Sequence, residues 1–486
     1  MTKRPSNHQS DVRNSSPRLT VKTRRRYILL QTNAQVKRAK SQLYFPHIPG
    51  ILSPPTDSTE KSRGTKGFSV SALLKLALVF VGIVLLLSRR LDLGLVLLLA
   101  SVAIGLLFGH PLLEIARDAV LASLDPLTLH LAVAVVLIML LGELLRRTGS
   151  IKGLIDALQT LVSSRRAVIA ALPALIGLLP MVGGAMFSAP MVEEISAQWG
   201  ENSPSGERKT FINYWFRHFW EPIFPLYPSM LLGAALLDVE PFQLAGTIWP
   251  LAIAAITGGL LFGLLGLPRR NERRPSPQPD AQSVRTLLRS IWPIAVVILL
   301  SLILPAVLPL DERFALILSL LVTITLTMVL KHVPARDLGT ILRCHIPWET
   351  LGVIFGALIF RRVLENSGAV NGVADDLIGL HIPLPLIAFG APFIAGLLTG
   401  LMGAAFSIGF PVILPLITLP GSAIAPGWAA WLMAGGFVGG MLSPVHLCLA
   451  LTRVYFKAEW GPLYRLLVPS SLLVTATAAA ILWLGA

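Results

Sequence analysis

The sequence has few charged residues and almost no cysteine. Only 14% of its 486 residues are Asp, Glu, Lys or Arg, whereas a soluble domain carries about 25%. The two cysteines, Cys344 and Cys448, lie far apart, which excludes a disulfide framework, a zinc finger and a CxxC redox pair. The sequence also lacks a P-loop, a dinucleotide fingerprint, HExxH and GxSxG motifs. We therefore predict no resident cofactor and no enzymatic activity.

Hydrophobic residues make up 54% of the chain and fall into long blocks. Each block approaches the roughly 20 residues that cross the hydrocarbon core of a bilayer. We predict an all-α membrane protein with about ten transmembrane helices. The blocks span residues 71–87, 91–108, 127–145, 210–236, 245–267, 290–310, 314–331, 348–364, 425–449 and 465–485.

The N-terminal segment, residues 1–68, differs in composition from the rest. It holds 14 Lys and Arg against three acidic residues and is rich in Ser and Pro, so we predict a disordered basic tail. A basic segment can also bind nucleic acid or anionic lipid, or resemble a transit peptide. We favour an unstructured extension from a start codon assigned too early, with Val70 as the native start, and predict no nucleic-acid partner.

Basic residues in the core predict its orientation, because Lys and Arg concentrate in cytoplasmic loops. If every basic cluster of the core is cytoplasmic, residues 166–200 enter and leave the membrane on the same side, as a re-entrant hairpin. The basic linker 268–289 is then cytoplasmic, and both ends of the core are extracytoplasmic. We predict a multi-pass protein of a prokaryotic inner membrane.

The sequence repeats itself at one constant spacing, the repeat offset, which aligns Gly149 with Gly368. Between residues 145 and 188, 14 of 44 positions are identical to their partners, and the matches include Gly, Pro, Asp and Ser. We predict two repeats, 70–267 and 290–486, each with a hairpin. Five crossings in each repeat insert the second copy upside down, which gives two opposed re-entrant hairpins in two inverted repeats.

Two matched motifs interrupt the apolar blocks, one in the hairpin 166–200 and the other in the second hairpin, at 384–418. They read GGAMFSAP (183–190) and GAAFSIGFP (403–411). Backbone that leaves the helix at membrane depth is tolerated only where it is buried in protein or lines a wet cavity. These motifs therefore predict binding sites for a substrate or for Na⁺ near the two serines, although the hydroxyls can instead cap a broken helix. The candidates are Gly183, Gly184, Ser188, Gly403 and Ser407.

A polar stripe follows the first hairpin. Thr210, Asn213, Arg217 and Glu221 recur every three or four residues and share one face of a predicted helix over 210–223. One interpretation is that Arg217 and Glu221 form a structural salt bridge. In the other, Arg217 or His218 binds an anionic substrate and Glu221 takes part in coupling.

Proline-rich breaks follow in both repeats. FPLYPS (224–229) has its counterpart in GGMLSP (439–444), and proline lacks the N–H that a helix requires. If each break faces a hairpin tip, Ser229 and Ser443 join the candidate site.

The stretches GGAMFSAPMVEE (183–194) and ERKTFINYWFRHFWEPIFPLYPS (207–229) resemble the family named domain of unknown function 401 (DUF401). The resemblance covers about residues 70–486. This family is grouped with the ion transporter superfamily, whose members carry dicarboxylates, gluconate, lactate or citrate, or exchange sodium for protons. The resemblance implies a homodimeric, elevator-like carrier. The tips here lack the Ser-Asn-Thr of the dicarboxylate branch, so that substrate is not implied.

Together these features predict a secondary active transporter for a small solute, with an organic anion favoured and H⁺ or Na⁺ as the coupling ion. The alternatives are an ion channel or a cation/proton antiporter, and, less favoured, a membrane-embedded enzyme. The partners expected are the small-molecule substrate, the bilayer and a second copy of the chain.

Overall fold

The computed structural model describes residues 71–89, 91–162, 164–178, 184–267, 281–344, 346–418 and 422–485. These residues belong to one unit, Ser69–Ala486. The predicted tail (1–68), the candidate Gly183 and most of the predicted linker lie outside the described residues.

The first half of the chain folds into ten α-helices within the described residues. They are α1 (Ala72–Ser88), α2 (Leu93–Leu107), α3 (Leu112–Leu124), α4 (Pro126–Arg147), α5 (Ser150–Leu161), α6 (Arg165–Gly177), α7 (Gly184–Ala197), α8 (Gly206–His218), α9 (Pro228–Leu237) and α10 (Pro241–Gly258). A 3-10 helix (Gly200–Asn202) precedes α8, and a π-helix (Gly259–Leu264) extends α10.

The described part of the second half also contains ten. They are α11 (Ala281–Val307), α12 (Glu312–Leu330), α13 (Ala335–Cys344), α14 (Trp348–Asn366), α15 (Ala369–Leu380), α16 (Leu384–Thr399), α17 (Met402–Ile417), α18 (Pro426–Leu442), α19 (Leu447–Tyr455) and α20 (Trp460–Gly485). The chain is helical from Ala281, so residues 281–289 of the predicted linker are already part of α11.

Short polar side chains begin several of these apolar helices. The Asp92 carboxylate accepts a hydrogen bond from the Leu95 N–H at the start of α2. Asp125, followed by Pro126, does the same for Leu127 at the start of α4. Such caps satisfy N–H groups that have no partner within the helix.

Six helical segments are long and apolar enough to cross a membrane, by length and composition. The prediction of a helical membrane protein is confirmed at this level. Two of the ten predicted spans, 210–236 and 425–449, are interrupted by non-helical backbone. The six segments are Pro126–Arg147, Pro241–Leu264, Ala281–Val307, Glu312–Leu330, Pro426–Tyr455 (α18 and α19) and Trp460–Gly485.

The repeat offset also relates the helices. It separates the first residues of α2 and α12, of α5 and α15, of α6 and α16, of α9 and α19, and of α10 and α20. Left-handed backbone recurs at the same offset, at Gly149 (φ 70°) and Gly368 (φ 73°) and at Asp238 (φ 54°) and Lys457 (φ 53°). The two halves therefore share helix boundaries and turns as well as residues.

In each half, the first two helices pack against helices of the other half. Helices α1 and α2 of the first half contact α15 and α14 of the second, whereas α11 and α12 contact α5 and α4. At the α2–α14 contact, a Cβ on Gly94 would lie 2.4 Å from the carbonyl carbon of Gly352, so these helices approach backbone to backbone. Close approach of small residues is a common means of packing helices in lipid.

Another close contact gives a testable difference in stability. On α16, a Cβ on Gly396 would lie 2.8 Å from the Gly440 nitrogen of α18, whereas one on Gly390 would meet nothing within 4 Å. We expect Gly396→Ala to lower the free energy of unfolding by about 1–3 kcal/mol, as overpacking does.

Gly390→Ala is the matched control on the same helix. Since alanine is the better helix former, we expect it to raise that free energy by up to about 1 kcal/mol. Unfolding in mixed detergent micelles measures both variants, and equal effects would refute the assigned contact.

Candidate functional site

Two helix breaks lie at equivalent positions in the halves. The first, residues 219–227, separates α8 from α9, and the second, residues 443–446, separates α18 from α19. Helix α8 ends at His218 because Pro222 cannot donate to the His218 carbonyl and disfavours helical backbone at Glu221. The predicted helix over 210–223 is therefore too long at its end, and Glu221 lies in the turn beyond it.

A cavity of about 1030 Å³ opens beside these breaks. It is slightly larger than the roughly 300–1,000 Å³ of typical ligand pockets. Its wall combines the first break, the start of α17, the second break, and the neighbouring ends of α1, α2 and α14. Polar lining residues are Ser88, Asp92, Arg217, Glu221, Tyr227, Ser229, Glu349, Thr350 and Thr399.

Arg217 is the buried cation of this cavity wall. Its side chain is only 4% exposed. The Nη1 group donates a hydrogen bond to Nε2 of His218 at 3.0 Å and lies 3.4 Å from Sγ of Cys448 on α19. A Cβ on Gly184 would lie 2.7 Å from Nε and Nη2 of Arg217. The glycine at the start of α7 therefore makes room for the guanidinium group.

Glu221 lies near Arg217 in the first break. Its Oε1 atom is 3.8 Å from Nε2 of His218, and its side chain lines the cavity. The two predicted charges thus share the cavity wall, and the imidazole of His218 contacts both.

The remaining candidates form two groups, one that lines the cavity and one whose hydroxyls are buried within the protein. Ser229 and Gly403 line the cavity, at the starts of α9 and α17. The hydroxyls of Ser188, Ser407 and Ser443 are buried within the protein.

Ser188 belongs to a buried polar network. Its hydroxyl donates to Oδ1 of Asn213 at 2.6 Å. The Asn213 amide donates to the Ala185 carbonyl at 2.8 Å and to the Thr452 hydroxyl at 3.2 Å. Asn213 therefore joins α7, α8 and α19.

The other two hydroxyls bond to backbone carbonyls. Ser407 donates to Ala404 at 3.3 Å within α17, and Ser443 donates to Leu397 of α16 at 2.6 Å. Any contact of Ser188 or Ser407 with a substrate or with Na⁺ stays a prediction, because it requires these hydroxyls to change partners.

Helix N-termini surround the cavity. The first residues of α2, α9, α17 and α19 line it, and α14 lines it from its second residue, Glu349. An N-terminus carries about half a positive charge from aligned peptide dipoles, and its free N–H groups favour anions. Asp92 and Glu349 offset this charge at α2 and α14, whereas α9, α17 and α19 have no acidic residue in their first turn.

His218, His446 and Cys448 form a further cluster behind Arg217. Their ligand-type atoms lie within 4.8 Å of one another. The guanidinium group donates to His218 and contacts the Cys448 sulfur, so a metal cation there would face an adjacent positive charge. This arrangement does not fit a metal site.

The sequence interpretation missed several lining residues. Tyr227 joins the site because its hydroxyl donates to the Gly177 carbonyl at the end of α6. Asp92 immediately precedes α2, and Glu349 is the second residue of α14. An acidic residue at such a position is typical of a helix N-terminus, and this signal could have placed both residues there. Nothing in the sequence pattern brings His446 and Cys448 to Arg217.

Comparison with known proteins gives one result for the whole core. The family model described as "Protein of unknown function (DUF401)" matches residues 69–485. No curated protein matches the chain.

Proposed function

The chain belongs to the DUF401 family, and we propose that it is a secondary active transporter that moves a small organic anion across a membrane. The observation that carries this proposal is the cavity at the two helix breaks, with the Arg217 guanidinium in its wall. Interrupted helices within an apolar protein are tolerated where they line a water-filled cavity, and transporters bind substrates at such breaks.

The proposal includes two inverted repeats with opposed re-entrant hairpins. Helix α6 has 13 residues and α16 has 16, which gives lengths of about 20 and 24 Å. Both are shorter than the roughly 30 Å hydrocarbon core. Each packs against the helix that follows it, which supports hairpins that enter and leave on one side. The helix boundaries shared at the repeat offset support the repeat.

An anion is the substrate class that the local charges favour. Arg217 and the N-termini of α9, α17 and α19 supply positive potential at the cavity wall. Three acidic residues line the same wall, Asp92, Glu221 and Glu349. Asp92 and Glu349 lie at the starts of α2 and α14, and we assign Glu221, which lies near Arg217 in the first break, to coupling. The coupling ion is H⁺ or Na⁺, and the placement in the ion transporter superfamily belongs to the same proposal.

The proposal also covers the membrane location, the orientation and the oligomeric state of the protein. Basic clusters at 146–152, 208–209 and 336–343 support a cytoplasmic location for those helix ends and short helices. The transporter then lies in a prokaryotic inner membrane with both ends of its core outside, as a homodimer and without enzymatic activity.

Reconstitution into proteoliposomes tests the function. Acetate, lactate, succinate and citrate, each radiolabelled, are offered with a pH gradient, a sodium gradient or neither. We expect saturable uptake of at least one carboxylate that a gradient increases, and none in protein-free liposomes.

Other results of this assay distinguish the alternatives. Non-saturable flux that follows only the membrane potential indicates a channel. Sodium-driven proton release without anion uptake indicates a cation/proton antiporter. Either outcome refutes an anion transporter.

A further inference from the structure

Arg217 lies where two helices begin. A Cβ on Gly184, the first residue of α7, would lie 2.7 Å from Nη2 of Arg217. Nη1 of the same guanidinium lies 3.4 Å from Sγ of Cys448, the second residue of α19. Each helix N-terminus carries a partial positive charge, so both add to the charge of the guanidinium. A negative charge at this part of the cavity wall is therefore stabilised by three positive groups.

Glu221 places a carboxylate beside this positive charge. Its Oε1 atom lies 3.8 Å from Nε2 of His218, and Nη1 of Arg217 lies 3.0 Å from the same nitrogen, so the two charged groups are at most about 7 Å apart. The Glu221 side chain is only 15% exposed, and it lines the cavity. Cavity water therefore reaches the carboxylate, although protein surrounds most of the side chain.

The other two acidic residues of the cavity wall are in a different environment. Asp92 and Glu349 are both exposed. They lie at the starts of α2 and α14, where Asp92 also accepts a hydrogen bond from the Leu95 N–H. Charges that contact water are screened by it. Glu221 is therefore the acidic lining residue whose charge depends most on the guanidinium.

A substrate carboxylate changes the charge balance at this wall. In the empty cavity, one guanidinium faces one largely buried carboxylate. A bound monocarboxylate adds a second negative charge, and two carboxylates that share one site favour a state in which one of them carries a proton. A proton on Glu221 restores the original balance. Arg217 keeps its bond to His218 throughout, and no second cation is placed beside it.

Other ionisable groups lie around Glu221. They are Tyr214 and His218 on α8, Tyr227 in the first break, His446 in the second break and Cys448 on α19. A proton on His218 or His446 would place a second positive charge behind the guanidinium. Neutral phenol and thiol groups can only lose a proton. Glu221 is therefore the group among them that offsets an added anion by gaining a proton.

We propose that Glu221 carries the coupling proton and that the substrate is a monocarboxylate. This inference rests on the proposed function and specifies one H⁺ per anion. Glu221 is ionised in the empty cavity and neutral when a monocarboxylate is bound, so the anion and the proton bind together. A dicarboxylate is disfavoured, because its second negative charge has no compensating group at this wall.

Transport of lactate tests the coupling. Counterflow at equal pH reports the carrier without a driving force, and accumulation under a gradient of one pH unit reports coupling. One proton per lactate supports about tenfold accumulation, since one pH unit corresponds to about 1.4 kcal/mol. We expect Glu221→Gln, whose side chain is neutral at every pH, to lower the ratio of accumulation to counterflow about tenfold.

Glu349→Gln is the matched control, because it removes an exposed carboxylate from the same cavity. We expect this variant to keep the wild-type ratio within about twofold, since a screened charge has little effect. A wild-type ratio in Glu221→Gln, or an equal loss in both variants, overturns the proton assignment.

The panel of four carboxylates distinguishes failure of this inference from failure of the proposed function. Gradient-driven uptake of succinate or citrate without acetate or lactate overturns the monocarboxylate assignment and leaves an anion transporter in place. Lactate uptake that follows a sodium gradient and ignores a pH gradient overturns the proton assignment. If wild-type protein carries none of the four, the proposed function fails instead.

Proton uptake on binding tests the inference without transport. Calorimetry of lactate binding in buffers of different ionisation enthalpy reports the number of protons taken up with each lactate. Across the range from about pH 6 to pH 9, we expect this number to reach a maximum near one in wild-type protein and in Glu349→Gln, and to stay near zero in Glu221→Gln. Wild-type protein that binds lactate without proton uptake at any pH overturns the proposal, as does full uptake in Glu221→Gln.

Discussion

Replacement of Arg217 by glutamine is expected to reduce carboxylate uptake by about thirtyfold to several-thousandfold. Removal of one partner from a buried, hydrogen-bonded charge pair costs about 2–5 kcal/mol, and each 1.4 kcal/mol is a factor of ten in affinity. Arg217 is the buried cation of the cavity wall. Arg217→Lys should recover only part of the activity, because lysine lacks the planar fork of donors.

Arg146→Gln serves as the control for the loss of one arginine. Its side chain is 53% exposed and pairs with Glu143, and it is not among the residues that line the cavity. We expect near-normal uptake in this variant. Measurement of the free energy of unfolding in detergent shows whether Arg217→Gln is still folded, so that a loss of transport can be distinguished from a loss of folding. Uptake by folded Arg217→Gln within threefold of wild type would contradict the anion site.

Replacement of Asn213 by leucine should lower the free energy of unfolding more than replacement of a buried hydroxyl that bonds only within its own helix. Leucine is the residue at the equivalent position, 432, of the second half. The substitution removes bonds to Ser188, Ala185 and Thr452. Since a buried polar group left without a partner costs about 1–3 kcal/mol, we expect the free energy of unfolding to fall by about 2–4 kcal/mol.

Thr210→Val is the matched control on the same helix. Thr210 is also fully buried, but its hydroxyl bonds only to the Gly206 carbonyl of its own helix. We expect a change below about 1 kcal/mol. Similar losses in both variants would mean that the network does not hold α7, α8 and α19 together.

The general architecture could be predicted from the sequence because its signals are local or repeated. Apolar blocks predict helices whatever their neighbours. Prolines such as Pro225 and Pro444 predict breaks because they lack an N–H. Matched glycines predict the repeat offset that the helix boundaries also follow. Pro222 carried the further signal that ends α8 at His218, and the predicted helix overran it.

The arrangement of the candidate site depended on contacts that sequence does not encode locally. The motif with Ser188 predicts polar groups at a helix start, but packing determines how α7 is rotated, and the hydroxyl faces Asn213. His218 and Cys448 are 230 positions apart in the chain, yet both contact Arg217. Only tertiary structure makes His218 the shared neighbour of Arg217 and Glu221.

The exchange of partners between the halves constrains how the protein is made. A ribosome that has completed α5 has roughly 150 residues still to add before α11 is finished, which takes about 10–30 s at cellular rates of synthesis. Until then α4 and α5 lack the helices that cover them. During membrane insertion α4 and α5 must therefore remain in the bilayer without these partners, and their native packing forms only after the later helices have been inserted.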